Sequence, residues 1–94
     1  MPRPKKHRHC ECRFAGQVFK PAGMPMYELK QVQLYKDELE VLRLCDYEGL
    51  MQEEAGEKMG VSRGTVQRLL ASARKKTSSA FVEGLALVFE EDQA

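Results

Sequence analysis

Long apolar runs are missing from this 94-residue sequence. None approaches the roughly 18–20 residues of a membrane-spanning helix, so none is expected. The opening Met1-Pro2-Arg3-Pro4-Lys5-Lys6 carries charge without an apolar stretch behind it and does not read as a secretory signal. Cysteine is scarce. The three present, Cys10, Cys12 and Cys45, are an odd number with two of them one residue apart. That is a poor disulfide framework, and the expected compartment is a reducing cytoplasm. The machinery of catalysis is also missing: there is no glycine-rich phosphate loop, no serine in a nucleophile elbow, and no histidine beside an acid in an ordered segment. The expectation is a binding protein rather than an enzyme.

What the sequence does have is charge sorted by position. A net charge of +1 hides three blocks. Residues 1–13 carry Arg3, Lys5, Lys6, Arg8 and Arg13 against Glu11 alone. Between Asp37 and Glu57 there are eight acids and one base, Arg43. Between Ser62 and Thr77 there are five bases (Arg63, Arg68, Arg74, Lys75, Lys76) and no acid. A molecule with one basic side is suited to a polyanion.

The length allows one domain. Residues 1–13 lack apolar periodicity and read as a flexible basic arm. Residues 14–35 read as an extended segment, with a short strand at Phe14–Phe19 and turn chemistry at Pro21–Pro25. Met26–Tyr35 fits helix and strand equally. A helix is expected over Lys36–Tyr47, its first-turn acids Asp37, Glu38 and Glu40 favoured by the helix dipole. Its apolar residues Leu39, Val41, Leu42, Leu44 and Cys45 cover more than half the circumference, which suggests burial on two sides. A second helix follows over Gln52–Met59, stopped at Gly60, where a positive φ costs least. Ser62 is the N-cap of a third helix to about Thr77, since its hydroxyl accepts from free backbone N–H groups. Ala80–Glu83 adds a further helical turn. Residues 85–94 read as a strand, Leu85–Phe89, and an acidic tail.

Gln52 to Leu70 has the spacing of a helix-turn-helix. Two helices crossing steeply over a short turn need small residues where their backbones approach, and Ala55 and Gly56 supply them. Met59 and Val61, flanking Gly60, are expected to point inward. Val66, Leu69, Leu70 and Ala73 fall at i, i+3, i+4 and i+7 and form the buried stripe. At about 100° per residue, Gly64, Arg68, Ala71 and Lys75 then face outward, flanked by Arg63, Gln67 and Ser72. Arg63 and Arg68 are expected to reach guanine O6 and N7, and Gln67 adenine N6 and N7, while Gly64 lets the helix lie close to the bases. Thr65, Ser72, Arg74, Lys75 and Lys76, with Arg3, Lys5, Lys6 and Arg8 of the arm, are assigned to phosphates, which position without reading sequence.

These residues carry a resemblance. Leu34–Lys76, with Asp37-Glu38, Leu42-Arg43-Leu44 and Val61-Ser62-Arg63-Gly64-Thr65-Val66, resembles region four of bacterial sigma factors, which recognises promoter DNA. Nearly the whole chain is similar to uncharacterised protein family 0251, or domain of unknown function 134, a family of small prokaryotic proteins. Met1-Pro2-Arg3-Pro4, Phe19-Lys20-Pro21-Ala22-Gly23, Asp37-Glu38, Gln52-Glu53-Glu54-Ala55, Ser62-Arg63 and Val82-Glu83-Gly84 carry that likeness. It implies DNA binding. Gly56 stands where alanine is usual in the family, at a cost of about 1 kcal/mol of helix propensity. Cys10-Glu11-Cys12 departs from the family's usual cysteine spacing.

His7, His9, Cys10 and Cys12 are four candidate zinc ligands, but one-residue spacings oppose their convergence on one ion and no second ligand pair lies elsewhere. The expectation is no metal and no cofactor, the arm instead following the phosphates or entering the minor groove. The fold class expected is mainly α: a sigma region four-like or winged-helix-like helix-turn-helix over residues 36–84, of three to four helices, with one or two short terminal strands. The expected function is sequence-specific binding of double-stranded DNA and transcriptional regulation. A homodimer is expected, joined through the Lys36–Tyr47 face and the termini, because one recognition helix covers only about half a turn of DNA. Two rival functions are docking on RNA polymerase through the acidic Asp37–Glu57 surface, and metal or redox sensing through Cys10 and Cys12.

Overall fold

The computed structural model describes residues 17–91. Its elements in chain order are β1 (Val18–Phe19), a 3-10 turn (Met26–Glu28), β2 (Gln31–Tyr35), α1 (Lys36–Val41) running on into a π turn (Leu42–Tyr47), α2 (Gln52–Met59), α3 (Arg63–Glu83) and β3 (Ala86–Glu90). The described residues are mainly helical, with a small three-stranded sheet.

The sheet settles the segment whose sequence fits two conformations. In β2, Gln31, Gln33 and Tyr35 alternate with Val32 and Leu34, and the latter pair faces the core, Leu34 at 1% exposure. Pairing with β3 decides for the strand. β3 lies in the middle, antiparallel to β1 (Val18 opposite Val88) and parallel to β2 (Gln31 opposite Ala86 through Tyr35 opposite Glu90). Parallel neighbours need a long crossover, and every α-helix of the described residues lies in the connection from β2 to β3. The sheet therefore joins the two ends of the helical unit. Of the expected strand Phe14–Phe19, only Val18–Phe19 is realised among the described residues.

The helix expected over Lys36–Tyr47 keeps its span, but its second half winds as a π turn. Glu48 N–H donates to the Arg43 carbonyl at 2.9 Å, five residues back. Val41 and Leu44 are within 1% of complete burial, and Leu39, Leu42 and Cys45 pack partly covered against the same core. The broad apolar face is thus used largely within the chain, with Leu39, Leu42 and Cys45 left partly exposed.

α2 begins and ends where its sequence indicates. Met51 offers no side-chain cap, so Glu54 reaches back to accept from the Met51 N–H at 2.9 Å. Gly60, at φ 76°, stops the helix and donates to the Gly56 carbonyl at 2.8 Å. Met59 packs on the core, whereas Val61, expected inside, is 36% exposed. The tight turn takes Val61 past the core before α3 begins.

α3 is one helix of 21 residues, not a helix to Thr77 and a separate turn. Nothing between Thr77 and Ala80 breaks it, and Gly84, at φ 72°, supplies the stop. The described residues therefore hold three α-helices, at the lower end of the expected number. Val66, Leu70 and Ala73 are buried to 2% exposure or less, and Leu69 packs against the same core. Leu34 and Leu87 from the sheet, Val41 and Leu44, and Ala55 of α2 complete it. No helix of the described residues is long and apolar enough to cross a membrane.

Candidate nucleic-acid interface

The buried stripe of α3 fixes what its opposite face presents. Arg63, Gly64, Gln67, Arg68, Ala71 and Lys75 are all exposed. The first turn is held by Ser62, whose Oγ accepts from the Thr65 N–H at 3.1 Å. Arg68 Nη2 donates to Thr65 Oγ1 at 3.2 Å, which lays the guanidinium along the outer face. A Cβ on Gly64 would have Arg68 Nη1 as its nearest neighbour, at 3.8 Å, an ordinary contact. The chain's own packing does not require glycine at 64. None of Arg63, Arg68 and Lys75 is ion-paired to an acid among the described residues. Their charge is available to a ligand.

The rest of the expected contact set divides. Arg74 is exposed but committed: its Nη2 and Nε donate to the two Asp46 carboxylate oxygens at 2.6 and 3.0 Å. The hydrogen bond from Arg74 holds the Asp46 carboxyl below its ordinary pKa. Beside it, burial first and the Asp46 charge second push the Cys45 thiol up, so this cysteine is a packed thiol rather than a nucleophile. To contact a phosphate, Arg74 must exchange a two-pronged carboxylate for it.

Ser72 and Lys76 are not brought to the outer face at all. They lie four residues apart on the side of α3 that faces α1 and β2, where both meet Glu38, a carboxylate 2% exposed. Ser72 Oγ donates to Glu38 Oε2 at 2.6 Å and Lys76 Nζ to Glu38 Oε1 at 2.8 Å. The Tyr35 N–H donates to the same Oε1 at 2.9 Å, and Lys76 Nζ also reaches the Gln33 carbonyl at 2.7 Å. Its ammonium sits 4.5 Å from the centre of the Tyr35 ring. No buried side-chain N or O among the described residues lacks a partner. The assignment of Ser72 and Lys76 to phosphates is therefore corrected: they fasten α3 to the start of α1 and to β2. Half of this hub is visible in the sequence, since a glutamate three residues after a helix start is a capping-box residue. Its two partners on α3, more than 30 residues away, leave no local signal.

Arg3, Lys5, Lys6 and Arg8, and the candidate ligands His7, His9, Cys10 and Cys12, lie outside the described residues. Among the described residues no group of three or more His, Cys, Asp or Glu side chains is placed to hold a metal ion.

A family model described as protein of unknown function DUF134 matches residues 1–93. A UPF0251 protein of Vibrio parahaemolyticus is 46% identical over 94 residues, covering all of this chain and 98% of the relative. One from Shewanella sediminis is 45% identical over 93 residues, covering 99% and 97%. One from Halothermothrix orenii is 50% identical over 90 residues, covering 96% of this chain and 67% of the longer relative. No solved structure matches.

Proposed function

The chain belongs to the family described as protein of unknown function DUF134, and we propose that it is a sequence-specific DNA-binding protein that regulates transcription in the cytoplasm, a binding protein rather than an enzyme. One observation carries this reading. The first half of α3 buries one face to 2% exposure or less and leaves on the other an acid-free surface with two arginines that have no ion-pair partner among the described residues. α2, the turn at Gly60 and α3 present that surface as a helix-turn-helix presents its second helix to the major groove.

Arg63 and Arg68 donate in pairs to guanine O6 and N7, and Gln67 exchanges a donor and an acceptor with adenine. Gly64 brings the helix axis near the base edges. Thr65 and Lys75 contact phosphates and hold the register. Binding of fluorescent duplexes across a salt series tests this division. Arg68→Ala loses about ten- to a hundredfold in affinity for a selected site and relaxes one base pair of preference. Lys75→Ala weakens all duplexes alike and lowers the salt slope by about one. Equal behaviour of the two variants contradicts the assignment.

The acidic side of α2 supports a second reading. Glu53, Glu54 and Glu57 are exposed together, with Glu54 accepting from the Met51 backbone. This face suits a basic protein surface such as one on RNA polymerase, and Glu53→Lys/Glu57→Lys distinguishes the two: it abolishes polymerase capture while leaving duplex binding intact or stronger.

A further inference from the structure

Arg63, Leu70 and Arg74 fall within about 20° of one line along α3, because steps of seven and then four residues nearly complete whole turns. With Leu70 at 2% exposure, that line sets one guanidinium on either side of an apolar centre. All three border a cavity of about 360 Å³, bounded on its other sides by the π turn, the connection after it and the first turn of α2. This size is at the lower end of the range for small-molecule sites.

The lining is mixed in a particular way. Cys45, Leu50 and Leu70 make part of it apolar, while Glu53 and Arg63 bring one charge of each sign. Both charged residues are exposed, and neither is ion-paired with the other or with any described residue. Arg74, the remaining charge, is already held by Asp46 through two hydrogen bonds. The cavity therefore offers a cation, an anion and an apolar surface together. A plain anion such as phosphate matches it poorly, since Glu53 on the same lining repels it.

The complement of all three is a zwitterion with a hydrophobic tail. We infer that this cavity is an effector site for an α-amino acid with an apolar side chain. The ligand's carboxylate accepts a pair of hydrogen bonds from the Arg63 guanidinium, its ammonium donates to Glu53, and its side chain covers Leu50, Leu70 and Cys45. Resting on the DNA-binding reading, the site also bears on the duplex. A guanidinium engaged by that carboxylate is withdrawn from guanine O6 and N7. Amino acid and duplex then compete for Arg63, and each weakens the binding of the other by the same factor.

The test is isothermal titration calorimetry of the full chain without DNA, using L-leucine and L-phenylalanine. Each is compared with its acid lacking the ammonium (isocaproate, hydrocinnamate) and its amine lacking the carboxylate (isopentylamine, phenethylamine). One or both amino acids are expected to bind about tenfold or more tightly than their own truncated forms. Glu53→Gln, folded by circular dichroism, is expected to remove the advantage over the acid without weakening the acid itself. Arg63→Gln is expected to weaken amino acid and acid alike. No binding of either amino acid at millimolar concentration overturns the inference. So does an acid or amine that binds as tightly as its parent, or an affinity that neither variant changes. Simultaneous binding of amino acid and duplex without mutual loss overturns the effector role. Amino-acid binding by a chain that ignores duplex DNA leaves the site standing and removes the DNA reading, whereas duplex binding without amino-acid affinity removes the site alone.

Discussion

Glu38 shows how far a single carboxylate reaches in a domain this small. It accepts from the backbone of β2, from Ser72 and from Lys76, and so ties together strand, first helix and third helix. Replacing one member of a buried ion pair strands the other, so Glu38→Gln is expected to cost on the order of 3 kcal/mol in denaturant unfolding. Lys76→Met in the same chain should return part of that loss. The Asp46–Arg74 pair is different. It is exposed, so its worth at neutral pH is at most about 1 kcal/mol. Because the folded-state pKa of Asp46 is lowered, its contribution is present above the ordinary carboxylate range and is lost as the pH falls through the lowered value. Wild type should therefore melt above Asp46→Asn at pH 7, and the two melting temperatures should converge in acid; a gap that persists there contradicts the pairing.

At the scale of elements, helices were the most legible part. Acids opening α1, Gly60 after α2 and Ser62 before α3 mark ends that the structure keeps, because caps act within a few residues. β2 was half-legible: its alternation is there, but the choice between strand and helix is made by β3, more than 50 residues away. The π winding of Leu42–Tyr47 left no pattern to read, since its apolar positions also fit an α-helix. Two glycines separate local cost from tertiary need. At Gly56 an added Cβ would lie 2.7 Å from the Val61 carbonyl oxygen, which is backbone and must move. At Gly64 the nearest atom is the end of the Arg68 side chain at 3.8 Å. Gly64→Ala should stabilise the fold by no more than about 1 kcal/mol of helix propensity, and so raise the melting temperature, while weakening duplex binding. Gly56→Ala should forfeit that gain to the displaced turn and melt lower than Gly64→Ala. The reverse order would show that the close approach at Val61 is not what the glycine serves.

For the molecule as a whole, sorted charge and one amphipathic helix combine into a single arrangement. The sheet joins the segments before and after the helical unit, the Glu38 hub fixes the inward side of α3, and the outward side is left to Arg63, Gly64, Gln67 and Arg68. The outward face was readable in advance because it follows from the buried stripe by helical geometry alone. The loss of Ser72 and Lys76 from the contact set was not, because their partners belong to α1 and β2. The most direct measurement is an amide-resolved NMR titration of labelled protein with a duplex selected from a random pool, at low ionic strength. The largest shifts are expected on Arg63, Gly64, Gln67 and Arg68, with the Glu38 hub undisturbed. Shifts confined to the sheet or to the acidic face of α2, or none at all, would contradict it.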